Sequence, residues 1–420
     1  MKKIIALLLI ATMCFSLAAC NSKTPDETTN PTTTRPSSTT NDNPADPTVH
    51  KAGTCNVAGT VIEFSENDVT VNSEPVSQDA TNAVYASYDV EANAAMRHTI
   101  INITQAGDYI LSGYNGCAQI AVNLGENAAI NPNAVVNLYL NGVKLNYETA
   151  PAIIFYNVYE CIPADKTEAN IDTAMAGANV FICEDSVNIL NGALYSCMSM
   201  NINGSGILTV NAKNKGIDSA MHLTINDGTI YVNTENVEVD DNEDNMSVTT
   251  INGGELYITA TGVAGDGDDT NSNDRLVING GVIRATGNGF DITPKGEQTF
   301  IVFRFQEKQR DGSYALMLED DTVFTYDITN DFTYMIVSSP DVCPEEYSLW
   351  CGETRCQVAV ADITQMQNSA NITTPKVDIS EEPDNGDFVP SPGRNPNDVQ
   401  WMHTFVVEGG ANYFIVKTAE

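Results

Sequence analysis

The stretch Leu223–Val232, "LTINDGTIYV", decides the fold. Alone it reads as a β-hairpin, since two alternating apolar runs flank an Asn-Asp-Gly turn signal. Three relatives change that reading: "MNINGSGILTV" (Met200–Val210), "TTINGGELYITA" (Thr249–Ala260) and "LVINGGVIRATG" (Leu276–Gly287). Their corner asparagines are Asn203, Asn226, Asn252 and Asn279, so the steps are 23, 26 and 27 residues. A period of 20–50 residues marks a stacked repeat. A leucine-rich repeat shares the period but needs a Leu frame and helical returns, and no helical pattern lies between these runs. The sequence therefore predicts an all-β chain built as a parallel β-helix, a solenoid. Short strands would pair with the coils above and below, about 4.8 Å away, and Asn and Gly would supply positive-φ corners. Leu223, Ile225, Ile230 and Val232 should face inward, above Ile251, Leu256 and Ile258, then Val277, Ile278 or Ile283.

Outward from the repeats, "VVNLYLNGVKL" (Val135–Leu145) reads as an earlier coil and "HTIINITQAGDYILSG" (His98–Gly113) as the N-terminal cap region. Residues 157–180 break the pattern and are expected to be a loop. Past Gly289 the repeats stop. Runs such as "VFRFQEKQRDGSYALML" and "FTYMIVSSP" predict a C-terminal antiparallel β cap that blocks the open edge of the stack. Residues 373–400, rich in Pro and acids, are expected to be a loop insertion. "TFVVEGG" and "NYFIVKT" are expected to form a last strand pair.

The chain starts "MKKIIALLLIATMCFSLAAC". Two Lys, an apolar run and small residues before Cys20 predict a lipoprotein signal over residues 1–20, with Cys20 the lipidated residue; the alternative is an ordinary secretory signal with a chance Cys. Residues 21–50, dominated by Thr, Pro, Ser and Asn, are too poor in apolar side chains to fold and read as a tether. The folded part is then expected at 51–420, held on the extracellular face of the membrane by its lipid or released from it. With 20 basic against 55 acidic residues, a net of -35, the charge argues against nucleic acid as a partner. Attraction to acidic polysaccharide would need a bridging cation. Of ten Cys, eight remain beyond Cys14 and Cys20, an even number that permits disulfides outside the cell.

Acids recur in register. Asp241 precedes Asn252, and Asp268 precedes Asn279, by eleven residues; Asp218, Asp244 and Asn271 each precede their corner Asn by eight. In a stack, equal offsets are vertical neighbours. Like charges ~5 Å apart repel by roughly 3 kcal/mol at an effective dielectric of 20. A hard divalent cation turns that repulsion into binding, and calcium accepts irregular carboxylate and amide oxygens. The insert "GVAGDGDDTNSND" (Gly262–Asp274) adds Asp266, Asp269 and Asp274 to this calcium set. It is not an EF-hand, because the sixth and twelfth residues from Asp266 are Asn271 and Val277. The plainer alternative is an acidic, solvated turn. Zinc is disfavoured, since the four His (His50, His98, His222, His403) are scattered.

Taken in order, "AGDYILSG", "VVNLYLNGVKL", the "INGG" corners, "GDGDD" and "VSSP" resemble the secreted carbohydrate-binding-domain proteins of clostridia and their relatives. The resemblance covers roughly Ala58 to Pro340. It implies a right-handed parallel β-helix similar in shape to pectate lyases. It also implies binding of plant cell-wall polysaccharide, cellulose or acidic pectin-like glycans, with calcium held by Asp218 in "KGIDS" and Asp266, Asp268 and Asp269 in "GDGDD". The middle coil, "NVEVDDNED", departs from the pattern by lacking Gly. A non-catalytic, monomeric binder is the expectation, with Arg284, Tyr347, Trp350 and Trp401 as candidate sugar contacts. Two alternatives stand beside it. A lyase would use calcium and a basic residue, for which Arg284 is the candidate. An adhesin or scaffold would use the solenoid as a spacer.

Overall fold

A computed structural model describes residues 46–89, 98–147, 150–161, 172–213, 216–234, 248–260, 263–264, 276–290, 295–296, 298–367 and 400–417. The chain divides into Met1–Pro44, outside the described residues, and a compact unit from Ala45 to Glu420. The described residues are all-β apart from a five-residue α-helix, Ile363–Gln367, and a single 3-10 turn, Ala128–Ile130.

Three ladders of parallel strands organise the unit. The first runs Gly107–Asn115, Val136–Asn146, Ala178–Ile182, Met200–Gly204, Leu223–Ile225, Thr249–Ile251 and Leu276–Ile278. The second starts at the end of Val136–Asn146. It continues through Val187–Asn191, Ile207–Ala212, Thr229–Thr234, Glu255–Ala260 and Val282–Gly287. The third joins His98–Ile103, Ala118–Asn123, Ile153–Asn157, Leu194–Ser196 and Ile217–Ser219. The hairpin reading of each Asn-Gly unit is thereby set aside, because its two strands pair with neighbouring repeats.

The period-two pattern explains the core. In the first ladder Tyr109, Leu138, Val180, Ile202, Ile225, Ile251 and Ile278 stand in one register row, and all are buried. Each fully buried aliphatic side chain contributes about 1.5–3 kcal/mol, so a row that repeats once per coil fixes the register cooperatively. Ile230, Leu256 and Ile283 form a matching row in the second ladder. Of the alternatives at the last coil, Ile278 and Ile283 are the buried residues, and Val277 stands in the row of Thr224 and Thr250. At the corners the asparagines form a chain of amides. Asn226 donates to Asn203, Asn252 to Asn226 and Asn279 to Asn252, at 2.9–3.0 Å. Gly204 follows the first of them at φ +97°, where a Cβ would lie 2.2 Å from the Ile182 carbonyl oxygen.

Several sequence expectations are corrected. His98–Gly113 is not a cap: both of its strands belong to the parallel ladders. The N-terminal end is closed instead by Thr60–Phe64 with its antiparallel partner Val69–Val71, and by Val84–Asp89 against His98–Ile103. The expected tether also ends earlier than residue 50. From Asp46 the chain lies as a strap across the first two ladders, with Lys51 opposite Val187 and Thr54 opposite Glu184. Gly53 permits this approach, since a Cβ there would meet the Glu184 oxygen at 2.0 Å.

The C-terminal region is antiparallel where it meets the ladder end. Phe332–Ser338 pairs with Val282–Gly287 on one side and Phe300–Gln309 on the other, covering the second ladder's open edge. A second core gathers Phe303, Phe305, Phe332, Tyr347, Phe405 and Phe414. The expected last strand pair is not formed. Phe405–Val406 pairs with Glu346–Cys351, whereas Ala411–Lys417 runs parallel to Phe300–Gln309 and antiparallel to Gln357–Val360. Burial of Phe414 against Phe303 and Phe405 outweighs the local turn signal. Most of the expected 373–400 insertion lies outside the described residues.

Candidate functional site

Polar rows run along the first ladder, through Asp108, Asn137, Asn179, Asn201, Thr224 and Thr250, and along the second. On the third, Ala121, Ile154, Tyr195 and Asp218 stand in one outer row. Asp218 is only 4% exposed. Burial pushes the nearby Cys197 thiol up, and the Asp218 charge adds to that shift. Asp241, Asp244, Asp266, Asp268, Asp269, Asn271 and Asp274 lie outside the described residues, as does Cys20. Among the described residues no three His, Cys, Asp or Glu side chains are grouped as metal ligands. Asp218 is thus the one expected calcium donor among the described residues, and the other expected donors lie outside them.

On the second ladder, parallel register puts Lys144, Ile189, Thr209, Tyr231, Tyr257 and Arg284 in one outer row across six coils. Tyr231 and Tyr257 stack with centroids 4.6 Å apart. The Arg284 guanidinium lies 5.0 Å from the Tyr257 ring and 4.7 Å from Phe324. Its Nε donates to the Thr325 oxygen at 3.1 Å, and Nη1 lies 3.8 Å from Glu255. Burial, with a hydrogen bond to Glu255, holds the Tyr257 phenol well above its ordinary range.

Two residues further along each strand is a second row: Asn146, Asn191, Asn211, Asn233, Thr259 and Thr286. Asn191 donates to Asn146, Asn211 to Asn191 at 2.8 Å and Asn233 to Asn211 at 2.8 Å. An amide has two N–H donors and two acceptor lone pairs, so each member of this chain keeps hydrogen-bonding capacity for a ligand. Beside the two rows, under strap residues Pro47 and Thr48, is an open cleft of about 200 Å³.

The candidate sugar contacts lie in different surroundings. Arg284 joins the outer row but is clamped between rings. Tyr347 is 1% exposed in the C-terminal core, its hydroxyl bonded to the backbone of Cys343, so its ring offers no face to a ligand. That expectation is corrected by packing. Trp350 is half-buried, with its indole N–H donated to Ser348, and Trp401 is also half-buried. Neither lines the cleft. The residues that do line it, Lys144, Asn191, Asn211, Tyr231 and Asn233, were not singled out in the sequence. Their signal is nonetheless present: "KLN", "ILN", "TVN" and "YVN" place Asn at the same step after each second-ladder strand core.

Comparison with known proteins gives a sparse result. A family model described as "Carbohydrate-binding domain-containing protein" matches residues 97–302. No curated protein matches the chain. A solved structure of the polysaccharide lyase-like protein from C. thermocellum, a gadolinium derivative, is 20% identical. That alignment covers 57% of this chain and 92% of that one, with a TM-score of 0.39.

Proposed function

We propose that this protein is a calcium-dependent, non-catalytic binder of plant cell-wall polysaccharide, cellulose or an acidic pectin-like glycan. Its scaffold is a right-handed parallel β-helix with a C-terminal antiparallel cap, acting as a monomer. It is held outside the cell membrane by a lipid on Cys20. The observation that carries the reading is a coincidence of extent. The stretch matched by the carbohydrate-binding family, 97–302, is the stretch that builds all three parallel ladders and the polar outer rows of the second. A rigid, repeating polar face suits a repeating polymer, because little ordering is needed on binding.

Calcium enters through Asp218. Asp218, in the outer row of the third ladder, is the described member of the expected donor set, and a carboxylate supplies the hard oxygen that calcium takes. Asp244 and Asn271, at the same offset in the two following coils, would join the donor set with the acids of the insert. The lyase alternative is weakened by Arg284, which would have to serve as the base. It is committed to two rings, a carbonyl and Glu255.

Calcium titration of thermal unfolding tests this directly. A ligand that binds only the native state stabilises it, by about 2.7 kcal/mol at a hundredfold excess over Kd. The wild-type melting temperature should rise with calcium, and Asp218→Asn should lose most of that rise. A wild-type melting curve indifferent to calcium and to chelator would overturn the calcium dependence.

A further inference from the structure

The cleft on the second ladder owes its shape to side-chain size within one register row. Ile189 and Thr209 face outward yet are only 3% and 6% exposed, and they make a low floor. Lys144 stands one coil to one side and Tyr231 one coil to the other, so both ends of the floor are raised. Tyr231 is stacked on Tyr257, which occupies one face of its ring; its other face is turned to the Thr209 side, where the cleft lies. Asn191, Asn211 and Asn233 form one wall, held in a single orientation by their amide chain. The strap forms the other wall, fixed there because Thr209 donates to the Pro47 oxygen at 3.0 Å.

This is a built arrangement of an aromatic face, a row of oriented neutral amides and an apolar floor. We propose that the cleft is a second glycan site, separate from the acid-bearing third ladder, and that it seats one ring of an uncharged polysaccharide. The Tyr231 ring would take the apolar face of the sugar. The spare N–H and C=O groups of the amides would pair with its hydroxyls. The volume, about 200 Å³, fits a single sugar ring rather than an oligosaccharide. The amides repeat at the strand spacing of about 4.8 Å, comparable to the length of one ring, so a chain leaving the cleft along the ladder axis meets further amides in step. The ligand class follows from charge. The cleft has one cation, Lys144, whose Nζ also lies 5.7 Å from the Tyr114 ring, and the chain as a whole carries -35. No cation bridge is available there, so a polyanion is disfavoured and calcium is not required.

The proposal rests on the reading of the protein as a polysaccharide binder, and the experiment separates the two. The full mature chain is run in native gels containing hydroxyethyl cellulose or polygalacturonate, each with calcium and with a chelator. The neutral polymer should retard the wild type equally in both conditions. Tyr231→Ala, which removes the ring, and Thr48→Trp, which fills the cleft from the exposed strap without touching a core residue, should each weaken that retardation about tenfold. Retention by polygalacturonate with calcium should be unchanged in both variants, which also certifies their folding. Loss of polygalacturonate retention in the wild type, with neutral retention still sensitive to both variants, supports the cleft and removes the calcium-dependent reading instead. Neutral retention that ignores both substitutions, or a wild type that the neutral polymer does not retard, would overturn the cleft as a glycan site.

Discussion

Asn252 sits in the middle of the corner chain, donating to Asn226 at 2.9 Å and accepting from Asn279 at 3.0 Å. Asn279 donates to Asn252 alone within that chain. A net hydrogen bond is worth about 0.5–1.5 kcal/mol, so Asn252→Ala should cost about 1–2 kcal/mol in urea unfolding and Asn279→Ala about half as much. Equal costs would mean that the amides act singly and not as a chain. Gly204 is more sensitive still. Its φ of +97° and the 2.2 Å approach of a Cβ to the Ile182 oxygen make Gly204→Ala destabilising by about 2 kcal/mol or more. The corners were legible in the sequence because Asn and Gly recur at nearly constant steps. The amide chain was not, because spacing fixes which residues are neighbours but says nothing of how their side chains point. The same limit applies to Arg284. Its position on a strand near the acids was readable, but its capture by Phe324 depends on a strand forty residues away.

At the scale of elements, the strap shows what periodicity cannot reveal. Residues 46–50 have the composition of the tether before them, yet Pro47 and His50 are bound to the ladders through Thr209 and the Gly142 oxygen. Close approaches at Gly53, against Glu184, and at Gly142, against Ala52, hold the register. Cys183 is buried beside Cys55, and burial and the Cys55 thiol together push its own thiol up. Gly53→Ala should therefore lift the strap and speed alkylation of Cys183 in the native protein by at least severalfold, read by mass spectrometry. An unaltered rate would show that the strap is not what covers it. The ladders were readable because each strand repeats the same apolar frame as its neighbours. The C-terminal strands were not, since they pair across long separations. Ala411–Lys417 joins Phe300–Gln309 through a phenylalanine cluster that no local turn signal encodes.

Across the whole molecule, buried thiols and phenols set an alkaline limit. Burial pushes Cys356, a fully buried residue, up to about 12 from 9.0, and Tyr326 up to about 12 from 10.0. Between roughly pH 9 and 12 the unfolded chain releases protons that the native chain keeps. Stability contributed by these groups is therefore complete below pH 9 and is lost as the pH rises towards 12. Urea midpoints should fall progressively over that window, and Cys356→Ala should flatten the fall. A midpoint that is constant from pH 8 to 11 would contradict the assignment. The proposed function is that of a parallel scaffold that holds polysaccharide without cleaving it. Its most direct test is to incubate the mature chain with polygalacturonate and with cellulose, with calcium and with chelator, and to assay bound protein and released sugar together. Calcium-dependent retention on polygalacturonate, with neither unsaturated nor reducing products, is the expected result. Product release that disappears in Arg284→Ala, or no retention on either polymer, would contradict it.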